Sequence, residues 1–147
     1  MRSSLVAFVT AAFMTTTPAF AEMITVSTEK SVPQAMDALE AAVTGAGATV
    51  FARIDHQAGA ESVDLEMGAA QVLIFGNPKL GTPAMQDDIR ASLYLPLKIA
   101  VYEGPMGTVL SYEDPVEMFD GFAISPGTEY VKMMTGALAN LTKAAAN

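Results

Sequence analysis

The chain has 147 residues and sets 16 acidic side chains against 8 basic ones, for a formal charge of −8. That balance excludes binding along a phosphate backbone, which needs clustered Lys and Arg, so no nucleic-acid partner is expected. With no Cys anywhere, disulfide scaffolds and thiol nucleophiles are excluded too, and the fold must hold by packing alone.

The first 21 residues read as an export signal. Arg2 gives a short positive start, residues 5–14 are an apolar run, and Ala19-Phe20-Ala21 is a small-x-small cleavage site. The run is about ten residues, short of the roughly 18 that a spanning helix needs. The expectation is cleavage after Ala21 and release into the periplasm (or secretion) of a chain that is not embedded in the membrane. Removing 21 of the 147 residues leaves 126, and losing Arg2 takes the charge from −8 to −9. Residues 22–147 suit one domain with a substantial core.

Met23 to Ser27 alternates apolar and polar and predicts a first strand. Ser31 with Gln34 three residues on is a capping-box pattern, and Val32, Met36, Leu39 and Val43 follow at helical spacing up to Gly45-Ala46-Gly47. Residues 48–55 predict a second strand, with Val50, Ala52 and Ile54 on one face and Phe51 and Arg53 on the other. Asp55 can cap a short helical turn from His56 to about Val63. The apolar run from Ala70 to Phe75 predicts a strand buried on both faces, leading into the loop Gly76-Asn77-Pro78-Lys79-Leu80-Gly81.

Thr82-Pro83 reads as the cap and first position of a helix to about Leu93, with Asp87 and Asp88 near its positive end. Residues 97–103 and 108–112 predict a hairpin around Gly104-Pro105-Met106-Gly107. An irregular stretch from Phe119 to Gly127 precedes a last amphipathic helix striped by Val131, Met134, Leu138 and Leu141. Five strands, mostly antiparallel, with two long helices needing one common face, predict an α+β two-layer sandwich.

Three ordered motifs carry a likeness. They are Phe51-Ala52-Arg53-Ile54-Asp55-His56-Gln57-Ala58, then residues 72–83, then Leu95-Pro96-Leu97-Lys98 with Val101-Tyr102-Glu103. Together they make residues 22–147 resemble domain of unknown function 302. The resemblance implies a β-α-β4-α core like that of the TATA-binding-protein fold class and a homodimer, and it brings no established activity. The sequence departs from the family at Asp64, where Gly is frequent, and at Met67-Gly68, where a basic residue followed by Pro is frequent.

The chemistry-bearing residues reduce to one expected polar corner. His56 is the only His, and a neutral imidazole after a strand can accept a proton or ligate a metal. Asn77, Pro78, Lys79 and Thr82, in the loop from Gly76 to Thr82, can hold a small ligand, with amides ahead of Pro83 able to take a carboxylate or phosphate. For His56 and Asn77 to share a pocket, the second and third strands must lie parallel, with residues 56–69 as the crossover. The expected function is therefore a non-catalytic, small-ligand-binding or accessory domain needing no cofactor.

Two alternatives stand beside it. One is an enzyme using His56 as general base. The other is a copper-handling protein using His56 with Met67, Met85 or Met106 as thioether ligands, or with carboxylates. Hydrolase signatures are missing. No Gly-x-Ser-x-Gly or His-Glu-x-x-His occurs, the glycine spacing from Gly76 to Gly81 is not a Walker loop, and Ser62, His56 and Asp64 have no spacing that demands a triad.

Overall fold

The computed structural model describes residues 23–147, so the expected signal segment and cleavage site lie outside the described residues. Five strands form one sheet: β1 (Met23–Thr28), β2 (Thr49–Asp55), β3 (Ala70–Gly76), β4 (Leu97–Gly104) and β5 (Gly107–Glu113). Their spatial order is β1-β5-β4-β3-β2, and every neighbouring pair is antiparallel. Helices α1 (Val32–Gly45) and α5 (Glu129–Ala146) pack together over one face. The fold is thus the two-layer α+β sandwich expected, with a β-α-β4-α core.

Sequence chemistry accounts for the frame. The Ser31 hydroxyl accepts from the Gln34 amide, and the Gln34 side chain accepts from the Ser31 N–H, completing the capping box of α1. Gly47, at φ 75, ends that helix with the left-handed turn that glycine adopts at little cost. The β4–β5 hairpin pairs Gly104 with Gly107 across Pro105 and Met106. A Cβ on Gly104 would lie 2.9 Å from Val109 Cγ2, and Gly107 sits at φ 127, so both glycines are required by geometry.

The core lies between the helices and the inner sheet face. Met36, Leu39 and Val43 of α1 and Val131, Met134 and Leu138 of α5 meet Leu73, Ile99, Val101 and Leu110 there, all buried. Each such side chain contributes roughly 1.5–3 kcal/mol by leaving water.

The structure corrects two readings of β2. A bulge between Val50 and Ala52 shifts the register, so Val50 and Arg53 face the helices while Ala52 and Ile54 face the other way. Arg53 therefore reaches Asp37 of α1 at 2.6 Å and Glu40 at 3.3 Å, and donates to Gln71. The second correction is direction. β2 and β3 are antiparallel, with Asp55 opposite Gln71 and Thr49 opposite Gly76. The connection between them spans only the six-residue α2 (His56–Glu61), capped by Asp55, and a coil to residue 69. In that coil Asp64 takes φ 57, a left-handed conformation that glycine adopts at least cost.

Helix entry is also corrected. α3 runs from Pro78 to Asp87, with Asn77 as its cap, so Lys79, Leu80, Gly81 and Thr82 are helical and Pro83 is internal. A 3-10 turn follows over Ile89–Leu93. Asp87 and Asp88 consequently lie at the negative end of α3, opposite to the expected placement, and each has a specific partner that holds it there. Between β5 and the irregular stretch from Phe119 lies one short helix, α4 (Pro115–Met118).

Candidate functional site

The antiparallel register parts the two expected site motifs. His56 leaves the sheet beside Asp55 and Gln71, whereas Asn77 leaves it beside Thr49. β2 is seven residues long, which sets its ends about 20 Å apart at roughly 3.3 Å per residue. One small ligand cannot bridge that span, so the shared polar corner does not exist.

His56 itself is exposed, and its ring takes part in none of the hydrogen bonds among the described residues. Met106, 98% exposed in the β4–β5 turn, lies at the His56 end of the sheet, while Met85 of α3 lies at the other, so these two thioethers cannot join one metal site. Among the described residues no three His, Asp or Glu side chains gather where a metal ion could be held. Ser62 donates to the Gly59 carbonyl at 2.7 Å and simply closes α2.

The Asn77 end is different. Here a pocket of about 410 Å³ opens where β3 ends and β4 begins. Gly76, Asn77 and Pro78 form its lip, and Leu80, Gly81, Thr82 and Met85 line it from α3. Leu95, Pro96 and Leu97 make the opposite wall, with Phe51 and Met134 closing the sides. Of the expected site residues, Asn77, Pro78 and Thr82 belong to this pocket, while Lys79 and His56 do not.

No lining side chain is ionisable, and the backbone amides that open α3 are already engaged. Asn77 Oδ1 accepts from the Lys79 N–H at 3.0 Å, and the Asn77 carbonyl accepts from the amides of Leu80 and Gly81 at 2.9 and 3.0 Å. The first turn of α3 therefore has no amide to offer a carboxylate or phosphate, which removes the expected anion cradle.

Residues outside the lining hold the walls in place. Tyr130 of α5 donates to Asp87 Oδ2 at 2.6 Å, tying the end of α3 to α5; burial, then the Asp87 carboxylate, raises the Tyr130 pKa above the usual phenol value. Asp88 accepts from Arg90 Nη2 at 2.6 Å and from the Ala123 amide at 3.0 Å. The Arg90 bond first, and the Ala123 amide next, hold the Asp88 carboxyl well below the usual carboxylate range. Arg90 lies 4.7 Å above the Phe122 ring, which meets Tyr94 edge-on at 5.5 Å. This clamp fixes the segment that becomes the Leu95-Pro96-Leu97 wall.

Sequence reading missed Phe51, Leu95, Pro96 and Met134 as lining residues, because they come from three distant stretches that only the sheet's end brings together. One local signal was available. Gly81 and Pro83 are poor helix formers inside one turn of a ten-residue helix, an arrangement that propensity alone disfavours.

Comparison with known proteins places the chain. It is 32% identical over 126 residues to proteins named fluoride-specific ion channel FluC 1 from Brucella suis biovar 1 (strain 1330) and from Brucella abortus biovar 1 (strain 9-941). The matches cover 84% of this chain but 50% and 47% of those proteins, so the chain spans about half the length of the curated relatives it matches. The fold is similar to that in the crystal structure of an uncharacterized conserved protein, DUF302, from Bacillus stearothermophilus. That likeness has a TM-score of 0.72 at 18% identity and covers 84% of this chain and 97% of the other. Residues 24–146 match the profile of the domain of unknown function DUF302, and the chain belongs to that family.

Proposed function

We propose that this protein is a non-catalytic, small-ligand-binding accessory domain whose ligand seat is the pocket beneath the start of α3. The observation that carries the reading is the cavity of about 410 Å³, within the range for small-molecule sites, walled by three separately anchored elements. Its lining offers no acid–base pair, no base beside the Thr82 hydroxyl and no metal-ligand cluster, so binding fits it better than turnover. Export and cleavage after Ala21 would place this activity in the periplasm or outside the cell.

The Brucella relatives are named as fluoride channels, and a channel activity is not part of this reading. None of the described helices is long and apolar enough to cross a membrane, and the sheet is open, with edge strands β1 and β2. The likeness, confined to about half of those proteins, supports an accessory role for a domain of this type. We further propose that two copies associate through the sheet face opposite the helices.

Native mass spectrometry of the protein purified after export tests the reading directly. The expected spectrum has one non-covalent adduct per chain, on a polypeptide beginning at Glu22, with the ligand recovered unaltered after incubation. A bare chain under all growth conditions, with no thermal shift from a small-molecule library, would refute ligand binding. A chain retaining Met1 on the membrane would refute the location.

A further inference from the structure

We infer that the pocket takes a neutral, predominantly hydrocarbon molecule of about 16 non-hydrogen atoms. This rests on the pocket being a ligand site and adds the chemical class of the ligand. The size follows from volume. An apolar cavity of about 150 Å³ accommodates benzene, so roughly 25 Å³ serves each heavy atom, and about 410 Å³ serves about 16.

The class follows from charge and hydrogen bonding together. A buried ion without a counter-charge is strongly disfavoured, and this lining has no ionisable side chain to provide one. Elsewhere a helix start could stand in for a cation, but the first amides of α3 are spent on Asn77. What remains is mainly aliphatic, aromatic and thioether surface, with the neutral Asn77 amide and Thr82 hydroxyl as its polar side chains and Met85 and Met134 able to adapt to an irregular apolar shape. The same surface accepts a fused-ring compound or a hydrocarbon tail, and the ligand's polar end, if any, projects past Thr82 at the exposed mouth.

Gly81 is the residue that sets the volume. It lies inside α3, where Ala would be favoured by roughly 1 kcal/mol. A Cβ built there would reach Leu95 Cδ1 at 3.7 Å, an ordinary contact, so the helix tolerates a side chain at that place. The space a longer side chain would fill lies between α3 and the Leu95 wall, within the pocket. A poor helix former thus stands where a side chain longer than that of Ala would fill the cavity.

Two fluorescent probes of matched shape separate the possibilities: neutral N-phenyl-1-naphthylamine and its anionic sulfonate relative, 1-anilinonaphthalene-8-sulfonate. Titrated into the full mature protein, the neutral probe should bind one per chain at least tenfold more tightly than the anion. Gly81→Leu should abolish that binding with unchanged or higher thermal stability. Met85→Glu, which places a charge in the lining, should do the same should Gly81→Leu fold poorly. Anion binding as tight as the neutral probe, and lost in Gly81→Leu, overturns the neutral class while leaving a ligand site. Neutral-probe binding that survives both substitutions lies elsewhere on the protein and overturns the assignment. Failure of both probes to bind overturns the ligand site itself.

Discussion

Asp88 illustrates how much of the pocket depends on a residue that never touches it. Its carboxylate accepts from Arg90 and from the Ala123 amide, joining the segment after α3 to the irregular stretch before α5. Because its folded pKa lies below the unfolded value of about 3.9, the unfolded chain binds more protons as acid is added. The stability that Asp88 contributes is therefore complete above about pH 4 and is lost as pH falls toward the folded pKa. Asp88→Asn should lower the urea midpoint at pH 7 and flatten the fall in stability between pH 4 and 2. A variant with wild-type midpoints at both ends of that range would show that the clamp is inert. Sequence alone suggested a helix-dipole role for this residue. The adjacency of two acids, read with a misplaced helix start, concealed two different partners.

At the scale of elements, α3 is where local rules and structure disagree most. Pro83 has no N–H to offer the Lys79 carbonyl four residues back, and Gly81 weakens the same turn. Pro83→Ala should raise stability by about 1–3 kcal/mol, the usual range for relieving an internal helix proline, measured as a higher urea midpoint at unchanged slope. A loss of stability would mean that the Pro83 ring itself is required where α3 packs against α5.

The frame around this element was legible in the sequence, since α1 follows from its capping box and stripe, β4 and β5 from alternation around a turn, and α5 from its apolar stripe. Even so, α5 starts at Glu129 and not at the Pro126 that reads as a helix start. The start of α3 was not. Asn77-Pro78 and Thr82-Pro83 are both good cap-and-proline pairs, and tertiary context selects the first. The bulge at Phe51 was equally hidden, because an alternating pattern carries no mark of an extra residue. The direction of β3 was misread because a connection of about 14 residues fits either a crossover or an excursion that returns beside the strand it left.

For the whole molecule, the proposed pairing of two copies rests on the sheet face away from the helices. Register and burial put Met23, Ile54, Val72, Ile74, Ala100, Tyr102 and Val109 on the side away from α1 and α5. Met23 is 56% and Ile54 40% exposed there. The outward positions of the strands carry one Lys, Lys98, and one Glu, Glu113, so the face is close to neutral on a chain of charge −8. A two-fold pairing of this face meets no like-charge barrier and can set Lys98 of one copy toward the acidic side of the other. The area suffices as well. Five strands of six to eight residues, spaced about 4.8 Å apart, give a footprint of roughly 24 by 20 Å. Two apposed faces then bury about 1,000 Å², the lower bound for a specific interface. We expect a symmetric dimer by light scattering at tens of micromolar. Ile74→Lys, on the outward face of a central strand, should convert it to monomer with an unchanged far-ultraviolet circular dichroism spectrum. Probe binding at the pocket should survive, since Ile74 is not among the lining residues. A wild-type chain that stays monomeric at that concentration, or an Ile74→Lys chain that stays dimeric, would rule this face out as the contact.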